Sequence, residues 1–183
     1  MNYISTVIIV VVVSVLMKYL LASSKKQPII NEEGTIILKM NKAYAIIGYI
    51  GIAFTAIIGI IASLGTVKSN QDLFIVIGLV LLFLGLSVPL VLVAKRVKIE
   101  ANEEKITYIG ITGKQKVIMW NDIKKVGFSK SMLELALITD KTKIKVHMHY
   151  IGFPTLIELM KSKVEYSLCK DAIYSIETVS NRF

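Results

Sequence analysis

The sequence predicts an α-helical membrane protein of three transmembrane helices joined to an antiparallel α+β domain, and three observations predict it. The chain is too apolar for an ordinary soluble domain of its size: 54% of its 183 residues are hydrophobic and the mean hydropathy is +0.64. Its first half holds three apolar stretches of about 20 residues, the length a helix needs to cross a hydrocarbon core of about 30 Å. After Ala94 the pattern changes to short alternating segments separated by turn residues, the mark of antiparallel strands.

The first span, within residues 1–22, covers residues 4–21 and carries one charge, Lys18, near its end, where the ammonium can reach the headgroups while the stem stays in lipid. A cleaved signal peptide is the rival reading. No Lys or Arg precedes the run and no small-residue cleavage site follows it, so an uncleaved helix is expected. The second and third spans, residues 43–64 and 73–94, are joined by the short polar loop GTVKSNQD and form a helical hairpin over residues 43–94. Gly48, Gly51, Ala53, Ala56, Gly59 and Ala62 give the second span a small-residue face that lets a neighbouring backbone approach; helix packing is the plain reading, and the same face is open to oligomerisation. Ionisable side chains inside the spans would mark an ion or proton path; only the peripheral Lys18 is present. Pro89 in the third span is read as a tolerated bend.

Orientation follows from the lysines. Lys25, Lys26, Lys39 and Lys42 lie between the first and second spans, and Lys95, Arg96 and Lys98 follow the third at once, whereas the loop between the second and third has only Lys68. Excess Lys and Arg near membrane-crossing ends marks the cytoplasmic side, so the N-terminus is expected outside a cell membrane and residues 95–183 in the cytoplasm. The chain has a net charge of +9, and only Arg96 and Arg182 among its 22 basic residues are arginine. Residues 95–183 hold 16 basic and 10 acidic residues, a net +6 that follows the third span with almost no linker. Anionic lipid of the inner leaflet attracts such a surface with about 1 kcal/mol per nearby lysine. No basic motif interleaved with aromatic residues points to nucleic acid.

Within residues 95–164 the strands read in order. A turn at Asn102 and Glu103 would set Ile99 opposite Ile106 and Val97 opposite Tyr108, with Glu100 facing Lys105. A turn at Thr112 and Gly113 would then set Tyr108 opposite Val117 and Ile106 opposite Met119 on the same apolar face. A clearer hairpin folds at Asp140 and Lys141, pairing Leu137 with Ile144, Leu135 with Val146 and Leu133 with Met148. Its other face carries Lys143, Lys145, His147 and His149, with Glu134 opposite His147. Between these hairpins, Trp120, Ile123, Val126 and Phe128 supply large side chains to close a small barrel or sandwich. The sheet ends at GFPTLIELMKSKV, where Phe153, Leu156, Ile157, Met160 and Val164 recur at helical spacing, so a helix should cap it. In the basic segment 23–42, GTIILKMNK alternates as an edge strand would; it either adds to the sheet or lies at the membrane interface, and the sequence favours neither. The tail, residues 165–183, holds Leu168, Ala172, Ile173 and Ile176 at the spacing of a second short helix.

A strand meander followed by an amphipathic helix, attached to a membrane hairpin, resembles the bacterial pleckstrin-homology-like (PH-like) domain proteins. The resemblance rests on ITYIG, on GKQKVIMWNDIKKVGF with its W-x-D-I-x-x-V pattern, and on KIKV followed by GFPTLIELM. It covers residues 95–164 and implies a cytoplasmic PH-like domain, a scaffold that binds lipids, peptides or other domains without catalysis. The chain departs from relatives that hold inositol phosphates through basic residues around the first hairpin, because its own turn, EANEEK, is acidic.

The chemical inventory points away from an enzyme. Two histidines on one strand lack a third and fourth metal ligand, and the lone Cys169 has no partner motif, so neither a metal nor another cofactor is expected. Gly110 and Gly113 read as turn residues rather than a phosphate loop. The expectation is a non-enzymatic integral membrane protein whose cytoplasmic domain binds an unknown protein partner or anionic lipid at the inner face. Alternatives are an immunity protein against a bacteriocin or toxin, an envelope-stress protein, or an accessory subunit of a transporter or channel. The contact residues expected are Lys143, Lys145, His147 and His149, with Lys25, Lys26, Lys95, Arg96 and Lys98 as the basic flanks of the spans. If the stripe meets anionic headgroups, contact should strengthen as the histidines gain charge.

Overall fold

The computed structural model describes residues 22–180 together with Val15, Lys18 and Tyr19. The span expected at residues 4–21 otherwise lies outside the described residues. What is described divides into two compact units, one of Lys42–Val97 and one of residues 22–41 with 98–180.

The first unit is a pair of helices, α1 (Lys42–Ile61) and α2 (Asn70–Arg96). Both are long and apolar enough to cross a membrane: α1 with its closing turn reaches Gly65 at mean hydropathy 2.4, and α2 reaches 2.9. Helix α1 ends in a widened turn, Ala62–Thr66, where Gly65 takes φ +86°, a conformation that suits a residue without Cβ. Helix α2 starts at a reciprocal cap: Ser69 Oγ accepts from the Asp72 N–H at 3.1 Å while the Asp72 carboxylate accepts from the Ser69 N–H at 3.1 Å. It then runs through Pro89 without ending there.

Small residues set how closely α1 and α2 approach. A Cβ added at Gly48 would lie 2.8 Å from the Ser87 carbonyl oxygen, and one added at Gly51 would overlap the Ser87 hydroxyl. Further along, Phe54 and Phe83 meet edge to face at 5.1 Å. The small-residue face thus serves helix packing, as expected, at Gly48 and Gly51, whereas Ala53, Ala56 and Gly59 remain exposed. Thr55 is buried on the same side and returns its hydroxyl to the Gly51 carbonyl at 2.8 Å, which satisfies a polar group in an apolar setting.

Among the described residues, the second unit holds nine strands followed by two helices. Strands β1 (Ile29–Ile30), β2 (Ile36–Met40), β3 (Lys98–Ala101), β4 (Lys105–Ile109) and β5 (Gln115–Met119) form one antiparallel sheet in chain order, and β9 (Tyr150–Ile151) also pairs with β2. Strands β6 (Lys125–Ser129), β7 (Glu134–Ile138) and β8 (Lys143–His147) form the second sheet. Helices α3 (Phe153–Lys163) and α4 (Tyr166–Ser180) follow. The alternation of β2 thus belongs to a sheet strand paired to β3, so the helical pair is inserted between two neighbouring strands. The β-domain consequently begins before the hairpin rather than at residue 95. It also extends past residue 164, because α4 packs along β6 and buries Cys169, Ala172, Ile173, Ile176 and Val179.

Two of the three hairpin registers differ from those the sequence suggests. Ile99 pairs with Tyr108 and Ala101 with Ile106, a shift of two residues that keeps the apolar face and places Thr107, not Lys105, opposite Glu100. The cause is Asn102, whose side-chain oxygen accepts from the N–H groups of Glu104 at 3.0 Å and Lys105 at 2.9 Å and so moves the turn one residue along. Between β4 and β5 the shift is a single residue: Ile106 faces Ile118 and Thr107 faces Val117. Here Gly113 adopts φ +81° at the end of a three-residue loop closed by the Gly110 N–H on the Lys114 carbonyl at 2.9 Å. A one-residue slip turns every side chain over, so Ile118 is buried whereas Val117 and Met119, expected inside, are exposed. The β7–β8 register matches the sequence reading pair for pair, and the Met148 N–H reaches the Leu133 carbonyl at 2.8 Å beyond it.

The core joins both sheets and both helices. Leu38, Ile99, Ile106, Leu135, Leu137, Ile144, Val146, Leu156 and Met160 are all at most 1% exposed. Trp120 is also buried, and its indole N–H donates to the Asn102 carbonyl at 2.8 Å. Ile123 and Val126 are buried beside it in sequence, and Phe128 is half-buried.

Candidate functional site

On β8 the expected alternation holds: Lys143 and Lys145 are exposed, Ile144 and Val146 are buried, and His147 is half-buried. Lys145 Nζ meets Glu134 Oε2 of the neighbouring strand at 2.8 Å, so one lysine of the stripe is already partly neutralised. His149 does not belong to the stripe. The strand ends at His147, and the turn through Met148 and His149 into β9 breaks the alternation and leaves His149 only 2% exposed. Its backbone N–H donates to His147 Nδ1 at 3.2 Å, and the two rings lie 4.5 Å apart.

Burial decides the protonation of both rings. It pushes His149 down to about 4, with the neighbouring His147 acting in the same sense. It also lowers His147, against an opposing pull from Glu134. Burial therefore works against charging both rings, most strongly at His149, and so against a contact that strengthens as they gain charge. The consequence is for stability instead. Because the folded pKa of His149 lies below its unfolded value of 6.5, the unfolded chain takes up the proton first as pH falls. Stability is full above about 6.5 and is lost on the way down to about 4. Between about pH 7 and about pH 5 the loss should be roughly 2 kcal/mol. Denaturant midpoints followed by Trp120 fluorescence should show this slope in the natural chain and flatten it in His149→Gln.

The basic flanks separate into different settings. Lys25 and Lys26 are exposed just after a helical segment that ends at Ser24. Lys95 lies over the Tyr49 ring at 5.1 Å, and Arg96 is the last residue of α2. Lys98 opens β3, reaches Glu100 at 2.7 Å, and is paired across the strands with Lys39. Sequence reasoning missed Lys114 and Lys116, which the sheet register brings to the same end as Lys39 and Lys98. A correct β4–β5 loop length, read from Gly113 as the left-handed residue of a three-residue loop, would have found them.

Clefts open on the β-domain, two of them against the sheets and their turns. One of about 360 Å³ lies between β5 and the β7–β8 loop and mixes Asp122 and Asp140 with Lys124 and Lys141. The other, about 260 Å³, joins the two turns that carry Asn31 and Asn102 and is lined by Glu33, Glu100 and Lys105. Among the described residues no three His, Cys, Asp or Glu side chains converge as metal ligands would. Cys169 is buried, and burial pushes its thiol up, away from the thiolate that nucleophilic chemistry needs. No family model, curated protein or solved structure matches this chain.

Proposed function

We propose that this protein is a non-enzymatic, multi-pass membrane protein whose β-domain is PH-like, lies in the cytoplasm and binds a protein partner or anionic lipid at the inner face. The observation that carries the reading is the insertion of α1 and α2 between the paired strands β2 and β3. Strand pairing requires residues on both sides of the hairpin to share one aqueous compartment, which two crossings allow and one does not. The meander β2–β8 followed by a helix supports the PH-like reading, and the lysine asymmetry around the spans supports the orientation.

Cys169 cannot report topology in the folded chain, because it is 1% exposed and would escape labelling from either side. Tyr174 lies on the same helix and is 70% exposed. In a Tyr174→Cys, Cys169→Ala double variant, a membrane-impermeant maleimide should leave intact cells unlabelled and react once they are permeabilised without denaturant. Reaction on intact cells would overturn the cytoplasmic assignment.

A further inference from the structure

The first sheet is electrically polar along its strands. At one end, the β1–β2 turn carries Glu32 and Glu33 and the β3–β4 turn carries Glu103 and Glu104. The register sets these turns side by side, since Ile36 pairs with Ala101. At the other end Lys39 pairs with Lys98, Lys98 with Ile109, and Ile109 with Gln115, so the β4–β5 loop with Lys114 and the nearby Lys116 falls there too. The acidic turns lie at least four residues away along the strands, about 13 Å at the usual rise. That exceeds the screening length of about 8 Å at physiological salt, so an anionic surface at the basic end would barely feel them.

Two further features distinguish this end. Lys39 and Lys98 are directly opposed on one sheet face, an arrangement that disfavours folding unless an anion offsets it, and Glu100 offers only one carboxylate to the pair. The chain also leaves this end in both directions toward the spans, with one residue, Asn41, between β2 and α1 and one, Val97, between α2 and β3.

We infer that the sheet end built from Lys39, Lys98, Lys114 and Lys116 is the surface with which the β-domain docks onto anionic lipid headgroups, rather than the Lys143 and Lys145 stripe of β8. This rests on the lipid-binding reading above and names the face that serves it. Lysine suits the role, because a hydrated point charge tracks a diffuse anionic surface without demanding a bidentate partner.

The test uses the full chain reconstituted in vesicles of phosphatidylcholine alone or with phosphatidylglycerol. A polarity-sensitive fluorophore is placed, in a Cys169→Ala background, at Thr112→Cys in the β4–β5 loop, at Lys141→Cys beside the β8 stripe, or at Glu104→Cys in the acidic turn. Trp120 fluorescence confirms that each variant is folded. The Thr112 probe should shift to the blue only with phosphatidylglycerol, salt should reverse the shift, and the Glu104 probe should not respond. Adding Lys114→Gln and Lys116→Gln should lower the docked-to-undocked ratio by about fivefold per lysine. A response at Lys141 but not at Thr112 would reject this end while leaving lipid binding standing. Silence at all three positions would reject lipid binding as well. A Thr112 shift of equal size in phosphatidylcholine alone, unchanged by the two glutamines, would reduce the contact to closeness imposed by the chain and overturn headgroup recognition.

Discussion

Trp120→Ala should destabilise the β-domain by about 3–5 kcal/mol, the usual cost of truncating a buried aromatic ring. Trp120 is 3% exposed and occupies a short helical turn, Trp120–Asp122, between β5 and β6, where α3 packs against it. Its indole N–H also holds the Asn102 carbonyl at 2.8 Å, so the ring joins the β3–β4 turn to the passage between the sheets. Removing it leaves a cavity and a carbonyl without its donor. Trp120→Phe keeps much of the volume and loses the donor, so it should cost less, about 1–3 kcal/mol. Since these variants remove the only tryptophan, opening is best followed by thiol labelling of Cys169 in graded urea. This cysteine is alone in the chain and buried on α4, so its reactivity reports loss of the domain's packing. An alanine variant as resistant as the natural chain would show that Trp120 is not a core residue.

Gly152→Ala should cost about 2–5 kcal/mol through two separable effects. Gly152 precedes α3 with φ +85°, and a residue with a Cβ pays about 1–2 kcal/mol there. The added Cβ would also overlap Pro28 Cβ and lie 3.0 Å from its Cγ, and overpacking of that kind costs a further 1–3 kcal/mol, roughly. The Gly152 N–H donates to the Ser24 carbonyl at 3.1 Å, so the segment before β1 has no simple way to retreat. Combining Gly152→Ala with Pro28→Gly separates the effects, since the second change removes the clash and leaves the backbone strain. Urea midpoints by Trp120 fluorescence should therefore show positive coupling between the sites. Strict additivity would mean that Pro28 and Gly152 do not meet.

Where local chemistry alone governs an element, the sequence carried it. The β7–β8 hairpin is legible because a two-residue loop at Asp140 and Lys141 lies between strands whose apolar residues alternate cleanly, so a single register buries Leu135, Leu137, Ile144 and Val146 together. Both helices α1 and α2 are legible because the length of an apolar run is itself the constraint lipid imposes. The helical spacing of Phe153, Leu156, Ile157 and Met160 likewise named the buried side of α3. Short range failed where the detail of a turn set the count. Asn102 moved one turn and the left-handed Gly113 lengthened another, and in a period-two structure the second shift exchanged Ile118 for Val117 and Met119 in the core.

Other features depend on residues far apart in the chain. GTIILKMNK is compatible with an edge strand or an interfacial segment until β3 and β9 are seen to pair with it across more than fifty residues of intervening chain. His149 continues the period of β8 in sequence, yet the turn into β9 carries it into a buried position, because β9 must reach Met40 on β2. The charge polarity of the first sheet was equally hidden. Lys39, Lys98 and Lys114 are scattered through the sequence, and only the antiparallel register, fixed by burial of one face, gathers them at one end and the glutamates of the two turns at the other.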